Sequence, residues 1–436
     1  MERTAPAAAN YPYLQGTKTN KLAVALTAVL SLLAVAPTAA QAAGPPAPQT
    51  GPPIVQPGPS AAHARPGSHQ PTAGQLTLPE PTGHDRIGTV SLHLVDKART
   101  DPWLPSHPTR EIMAQIWYPA ATTAGYPSAP WLSPGAVPHF EQSMGVPAGV
   151  LRLPTTHARV GAPVDRGQRG RPVVLYSPGL GSDRTISTVL VEELASHGYV
   201  VVTIDHTHDA GEVEFPGGRV ETFSLPGEIN DSVIAQALAV READSRFVLD
   251  QLAAINAGHN PDAGNRPLPT GLRGVFDLSR TGMFGHSLGG ATAAATMHDD
   301  LRVKAGINMD GSLLSGSATA GSDRPFLLLS SDQSGPQDPS WDEFWNNQHG
   351  WKRELMLTGS THNSFTDFEV LYPQAGPLVG LTPEQVTQVI GTLDPLRAVR
   401  AQRVYVRTFF DLHLRHQDDH LFGGASPRYP EIQFVR

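Results

Sequence analysis

Thr281-Gly-Met-Phe-Gly-His-Ser-Leu-Gly-Gly290, running on into Ala-Thr-Ala-Ala-Ala-Thr-Met297, decides how this chain is read. Inside it, Gly285-His286-Ser287-Leu288-Gly289 is a Gly-x-Ser-x-Gly pentapeptide with a short apolar run before it and a small-residue, helix-forming run after it. A serine on so tight a strand-to-helix turn takes up strained backbone angles, and side chains two positions to either side would collide. Glycine at 285 and 289 removes both clashes. The turn also aims the helix N-terminus and the Leu288 N–H at the space beside the hydroxyl, where an oxyanion would form. In a chain with 42 glycines the pentapeptide alone carries little weight. The case rests on the strand before it, the helix after it and partners downstream, and on these Ser287 is the candidate nucleophile.

Outward from the elbow, apolar runs of strand length alternate with helical periodicity. Residues 172–176, 199–204, 303–308, 325–330 and 354–358 read as buried strands, and 184–197, 231–255 and 395–416 as helices. Upstream, 89–95 and 111–118 alternate apolar and polar residues and predict an antiparallel entry to the sheet. The Pro-, Gly- and Ser-rich stretch 119–170 predicts an irregular surface excursion, and 205–227 a polar, Gly-rich loop. Strands interleaved with helices imply an α/β fold, with a mostly parallel central sheet covered by helices on both faces.

The ends differ in character. Residues 1–43 read as a secretory signal, with Lys18 and Lys21 ahead of an apolar run over 22–36 and a small-x-small site at Ala40-Gln-Ala42. Cleavage near Ala42 or Ala43 and export are the expectation, and the apolar run is too short for comfortable bilayer insertion. Residues 44–75, crowded with Pro, Gly and Ala, predict a disordered linker, which leaves 76–436 as one catalytic domain. The absence of cysteine excludes thiol catalysis, Cys-ligated zinc and disulfides. The formal charge of −8 becomes −10 once residues 1–43 are removed, with no long run of one sign, which argues against nucleic acid or anionic membranes as partners.

A serine hydroxyl needs a histidine base, and the base needs an acid to hold its tautomer. In a sheet of this kind these follow the serine at the carboxyl ends of later strands. His362 lies just past the strand at 354–358. Two carboxylates compete for the acid: Asp310, at the end of the strand after the elbow helix, and Asp332, at the end of the next. A second oxyanion donor is expected in Ser177-Pro-Gly-Leu-Gly181, where Gly179 and Gly181 let backbone approach a ligand and the Leu180 N–H is the candidate. The run Asp205-His-Thr-His-Asp209 has a metal-like look, but at a strand end His206 reads better as a packed or hydrogen-bonded support. Trp341, Trp345 and Trp351 read as core or rim packing, and Phe365 and Phe368 as packing beneath the His362 loop.

Gly285-His-Ser-Leu-Gly-Gly-Ala-Thr292, Ser177-Pro-Gly-Leu-Gly181 with Leu194-Ala-Ser-His-Gly-Tyr199 and Asp205-His206, and His362-Asn-Ser-Phe-Thr-Asp-Phe368 together resemble the platelet-activating factor acetylhydrolase family in its secreted bacterial form, over roughly 76–435. The resemblance implies an α/β-hydrolase fold, no metal or other cofactor, and cleavage of short or oxidised acyl esters of phospholipids. It maps the triad acid onto Asp310 rather than Asp332, and the oxyanion donors onto the Leu180 and Leu288 backbone. Two departures stand out: Ser177-Pro178 where the family often has a histidine, and no amphipathic N-terminal helix for lipid docking. The expectation is a secreted serine carboxylic ester hydrolase working through an acyl-enzyme on a small-molecule or lipid ester, with a broader lipase, cutinase or polyester hydrolase as the alternative. An inactive binding scaffold is the reading from another class; it would have no reason to keep Ser287, His362 and an acid in order.

Overall fold

The computed structural model describes residues 74–436 apart from 168–169, 315 and 335–337. The signal reading over 1–43 lies outside the described residues, as does nearly all of the linker reading over 44–75. Residues Leu76–Arg436 make one compact unit. Its strands in chain order are β1 (Ile87–Asp96), β2 (Arg110–Pro119), β3 (Ser128–Pro130), β4 (Thr155–Val160), β5 (Arg171–Ser177), β6 (Val200–Asp205), β7 (Glu212–Glu214), β8 (Val220–Thr222), β9 (Phe276–His286), β10 (Val303–Met309), β11 (Phe326–Ser331), β12 (Lys352–Leu357) and β13 (Ile432–Phe434). The helices that matter for the site are α1 (Thr188–Ser196), α2 (Asp231–Ala257), α3 (Leu288–Asp299) and α4 (Pro395–Arg415).

All strands except the β7–β8 hairpin join one sheet in the order β13-β12-β11-β10-β9-β5-β6-β2-β1-β4-β3. The middle six, β6 to β12 through β5, are parallel. Their continuous apolar character follows from burial on both faces. Along β5 the side chains alternate: Val174 and Tyr176 join the core under α1 and α4, while Val173 and Leu175 join the core under α2 and α3. The chain leaves β5 to one side for β6 and returns to the other for β9, so Ser177 and Gly285 come to lie side by side in the register. That reversal opens a crevice at the carboxyl ends of β5 and β9, where open α/β sheets bind ligands.

The fold class is the α/β-hydrolase arrangement that the sequence implied, with three local differences. The stretch 119–170 is more ordered than its composition predicts: β3, β4 and a short helix (Val137–Ser143) lie in it, and β4 pairs with β1 to extend the sheet edge. The loop 205–227 carries the β7–β8 hairpin. The helix expected from 184 begins only at Thr188, because a distant carboxylate sets its start. Asp367 accepts from the backbone N–H groups of Thr188 at 3.0 Å and Val189 at 3.1 Å, and from Trp131 Nε1 at 2.7 Å. The cap comes from tertiary structure and ties the segment after His362 to α1.

Candidate active site

Ser287 sits between β9 and α3 at φ 55°, ψ −127°, a conformation that non-glycine residues hold only when their surroundings enforce it. The surroundings do so here. Its N–H bonds the Met309 carbonyl at 2.9 Å, and its own carbonyl accepts from Gly290 at 2.9 Å. The two flanking glycines are required for contact reasons. A Cβ on Gly285 would overlap the Gly289 backbone, and one on Gly289 would overlap the Ser177 carbonyl. The serine side chain is left partly exposed at the crevice.

Asp310, also at positive φ (58°), follows β10, and its backbone N–H is tied to Leu329 O at 2.8 Å. Its carboxylate is buried. Oδ1 accepts from the Ser331 N–H at 2.7 Å, and Oδ2 from the Ser331 and Ser334 hydroxyls at 3.0 Å each and from His362 Nδ1 at 2.7 Å. Burial alone would push this acid up, but the His362 hydrogen bond and the neighbouring donors outweigh it and hold the group below the ordinary carboxylate range. An ionised Asp310 can only accept, so the proton on this contact resides on Nδ1, and Nε2 of the partly exposed His362 is left as the basic nitrogen. Asp332, the rival acid, is exposed and bonds the Gly359 N–H at 2.8 Å, away from His362.

His286, next to the serine, links the two halves of the site. Its Nε2 donates to the His362 carbonyl at 2.9 Å, and the two rings lie 4.4 Å apart. Burial, with His362 beside it, holds the His286 imidazole down at about 3, so it stays neutral. Its Nδ1 is buried without a hydrogen-bond partner.

The loop after β5 lies against the serine: a Cβ placed on Gly179 would stand 3.2 Å from Ser287 Cβ and 3.3 Å from His286 Nδ1. Behind the loop is a wholly buried arginine. Arg241, from the middle of α2, grips Asp209 with Nε and Nη2 at 2.5 Å each, and donates to the carbonyls of Pro178 at 2.5 Å and Gly179 at 3.0 Å. In a planar trans peptide the C=O and the following N–H point in opposite directions. Turning the Gly179 carbonyl back onto Arg241 therefore turns the Leu180 N–H forward. His206 supports the strand end as expected, with Nε2 3.0 Å from Ser177 Oγ and Nδ1 3.0 Å from Asp244. Trp341 is buried, with its Nε1 on the Gly311 carbonyl at 2.8 Å, and Phe365 is buried in the core beneath the His362 segment.

Ser287, Asp310, His362, Leu180 and Leu288 thus converge at one end of the sheet, while Asp332 does not join them. Arg241, His286 and Ser331 escaped the sequence reading. Arg241 had a signal, since Ala237 and Leu238 before it and Val248 and Leu249 after it mark the apolar stripe on which it sits. Ser331 and the partnering of His286 had none, because both depend on contacts across the sheet.

Residues 147–421 match the family described as platelet-activating factor acetylhydrolase, isoform II. The chain belongs to that family. A probable 1-alkyl-2-acetylglycerophosphocholine esterase of Arthroderma benhamiae is 29% identical over 383 residues, 82% of this chain and 93% of the relative. The platelet-activating factor acetylhydrolase of Cavia porcellus is 23% identical over 322 residues, 68% of this chain and 70% of the relative. Among solved structures, a ferulic acid esterase from Streptomyces cinnamoneus superposes with a TM-score of 0.70 at 37% identity, over 84% of this chain and all of the other. The protein is a carboxylic ester hydrolase of the α/β-hydrolase fold. Among the described residues, no helix is long and apolar enough to cross a membrane.

Proposed function

We propose that the protein hydrolyses short-acyl esters through a Ser287–His362–Asp310 triad. The observation that carries this reading is the 2.7 Å contact from His362 Nδ1 to a buried, ionised Asp310, beside a serine held at φ 55° on the elbow. Ser287 Oγ attacks the ester carbonyl while His362 Nε2 takes its proton; Asp310 keeps the ring in that tautomer and stabilises the imidazolium. The oxyanion is held by the Leu180 and Leu288 N–H groups, each contributing about 3 kcal/mol to lowering the barrier. His362 then returns the proton to the leaving alcohol, and water, deprotonated by the same nitrogen, releases the acid from the acyl-enzyme. No cofactor enters these steps.

The relatives named for acetylglycerophosphocholine and platelet-activating factor support a short acyl group on a glycerophospholipid. A second reading, a hydroxycinnamoyl ester, is favoured by the 37% identity to a ferulic acid esterase. Export after cleavage near Ala42 or Ala43 belongs to the same proposal and is checked by N-terminal sequencing of the protein from culture medium.

The test is fluorophosphonate labelling and hydrolysis by wild type, Ser287→Ala, Asp310→Asn and Asp332→Asn. Substrates are p-nitrophenyl acetate to octanoate, a 1-alkyl-2-acetylglycerophosphocholine, methyl ferulate and a polyester film. Labelling is expected to vanish in Ser287→Ala, and kcat to fall on the order of 10⁴-fold in Asp310→Asn but less than threefold in Asp332→Asn. Folded wild type that neither labels nor hydrolyses any of these esters overturns the triad. A preference for octanoate or film over acetate moves the substrate to the lipase or polyester class.

A further inference from the structure

Asp205-His-Thr-His-Asp209 does not work as one cluster, since His206 faces inward to Ser177 and Asp244. His208 turns the other way, at φ 69°, and is 1% exposed. Its Nδ1 lies 3.0 Å from Asp101 Oδ2, and its Nε2 lies 3.2 Å from Glu221 Oε2 on β8. His107, from the loop between β1 and β2, brings its ring to 5.5 Å from that of His208, edge to face. One ligand atom from each of His107, His208 and Glu221 lies within 4.8 Å of the others.

We propose that His107, His208 and Glu221 bind one divalent transition-metal ion of the zinc type, with Asp101 as the carboxylate behind His208. The chemistry of the set argues for this class. Two imidazoles and one carboxylate suit zinc and its neighbours, whereas calcium and magnesium take oxygen donors. The geometry argues for the site. Ligands about 2.0–2.1 Å from a tetrahedral ion stand about 3.3 Å from one another, and the His208–Glu221 edge is already 3.2 Å. The remaining closure, from within 4.8 Å, falls to the side chain of the partly buried His107.

The residues behind the site are those a metal centre uses to orient its ligands. Asp101 is fixed by the N–H groups of Trp103 and Leu104 at 2.9 and 3.1 Å and by Arg110 Nη1 at 2.8 Å, so its remaining acceptor capacity sets the His208 tautomer with Nε2 facing the site. Arg219 Nη1 holds Glu221 Oε1 at 2.7 Å, which leaves Oε2 turned inward. An ion here joins the β1–β2 loop to the β7–β8 hairpin. The same segment buttresses the loop after β5, where the Gly181 N–H bonds the Asp209 carbonyl at 3.0 Å, and it is closed on itself by Ser224 N on the His208 carbonyl at 2.8 Å. The site is a structural staple beside the ester-hydrolysing centre, and no step of hydrolysis passes through it.

The experiment titrates Zn²⁺ and Co²⁺ into the full chain after chelation and desalting, beside His107→Ala and Glu221→Gln. Both substitutions fall on partly exposed residues, and circular dichroism verifies that the variants are folded. Wild type is expected to take up one ion per chain, to give the intense visible band of four-coordinate cobalt, and to unfold a few degrees higher with zinc. Each variant should weaken binding at least tenfold and lose the cobalt band. The chain has 18 histidines, so the variants separate this site from surface uptake. Absence of saturable one-to-one uptake, or uptake unchanged in both variants, overturns the proposal and leaves His208 as a hydrogen-bonded bridge between two carboxylates. None of these readouts needs an ester substrate, so they stand or fall separately from the triad.

Discussion

Replacing Arg241 by lysine tests whether a buried side chain that never touches substrate sets the oxyanion geometry. The planar guanidinium makes two bonds to Asp209 and one each to the Pro178 and Gly179 carbonyls, with a longer one, 3.4 Å, to Ser177 Oγ. An ammonium keeps the charge that buried Asp209 requires but cannot hold both carbonyls and the carboxylate in that fork. Without the guanidinium the Gly179 carbonyl keeps only the Ser182 N–H, at 3.2 Å, and its peptide plane can swing. A swing of about 30° takes the Leu180 N–H from the preferred hydrogen-bond range above about 150° toward the roughly 120° at which such bonds fail. Complete loss of one oxyanion donor costs about 3–4 kcal/mol, or 10²–10³ in kcat; a partly misaimed one should cost about a third to a half of that. We therefore expect Arg241→Lys to lower kcat on p-nitrophenyl acetate by about 10–30-fold. KM should change little, because the oxyanion exists only past the ground state. Fluorophosphonate labelling should slow by a similar factor.

Stability has to be followed in parallel. Arg241→Ala strands the Asp209 carboxylate in the core, at about 3–5 kcal/mol, and such a variant can fail simply by unfolding. Arg241→Met with Asp209→Asn removes both charges at once and keeps the volume, so it serves as the second variant. Folded Arg241→Lys protein with kcat within twofold of wild type would refute the reasoning, and so would a loss appearing only in KM. Either result would mean that the Pro178–Gly181 loop holds its shape without the arginine.

Three further outcomes are expected. Gly289→Ala should abolish soluble, active protein, because its Cβ overlaps the Ser177 carbonyl, whereas Gly179→Ala meets Ser287 Cβ and His286 Nδ1 at 3.2 and 3.3 Å and should fold with kcat down about tenfold; thermal melts and steady-state rates separate the two. Glu369 is buried, and burial pushes its carboxyl from the ordinary 4.5 up to about 8. The folded protein therefore holds this proton more tightly than the unfolded chain, and stability is lost as pH rises from about 4.5 to about 8. Urea titrations should show Glu369→Gln gaining on wild type by up to about 1.4 kcal/mol per pH unit across that window, and parallel curves would contradict it. Asp367→Ala removes the cap on α1 and leaves the Trp131 indole N–H unpartnered, so it should cost about 2–4 kcal/mol in denaturant unfolding.

The parts of this site that could be read in one dimension share a physical property: their constraint is local. Gly285 and Gly289 are forced by a turn five residues long, and His362 and Asp310 are marked by following apolar strand runs. Even there, the choice of Asp310 over Asp332 came from family resemblance. In three dimensions it is Asp310 that meets His362 Nδ1, at 2.7 Å, with the Ser331 N–H and hydroxyl from the neighbouring strand also turned onto it, while the exposed Asp332 bonds the Gly359 N–H. The order within 119–170 was hidden for a related reason, since β4 gains its strand character by pairing with β1 across a long gap in sequence. The charged residues were hidden most deeply. Arg241, Asp209, Arg110, Asp101 and Asp244 are all buried, yet a charge in a sequence reads as a solvated face unless its partner is known. Arg110 and Asp244 lie 134 residues apart, and Arg241 and Asp209 lie 32 apart. A buried charge without a partner would be too costly to keep, so a charge standing on an otherwise apolar helical stripe already implies a partner elsewhere. Applied to α2, that rule points to Arg241 and Asp244 together, three residues apart on one face. It leads from there to the two strand ends, after β5 and β6, that the helix holds in place.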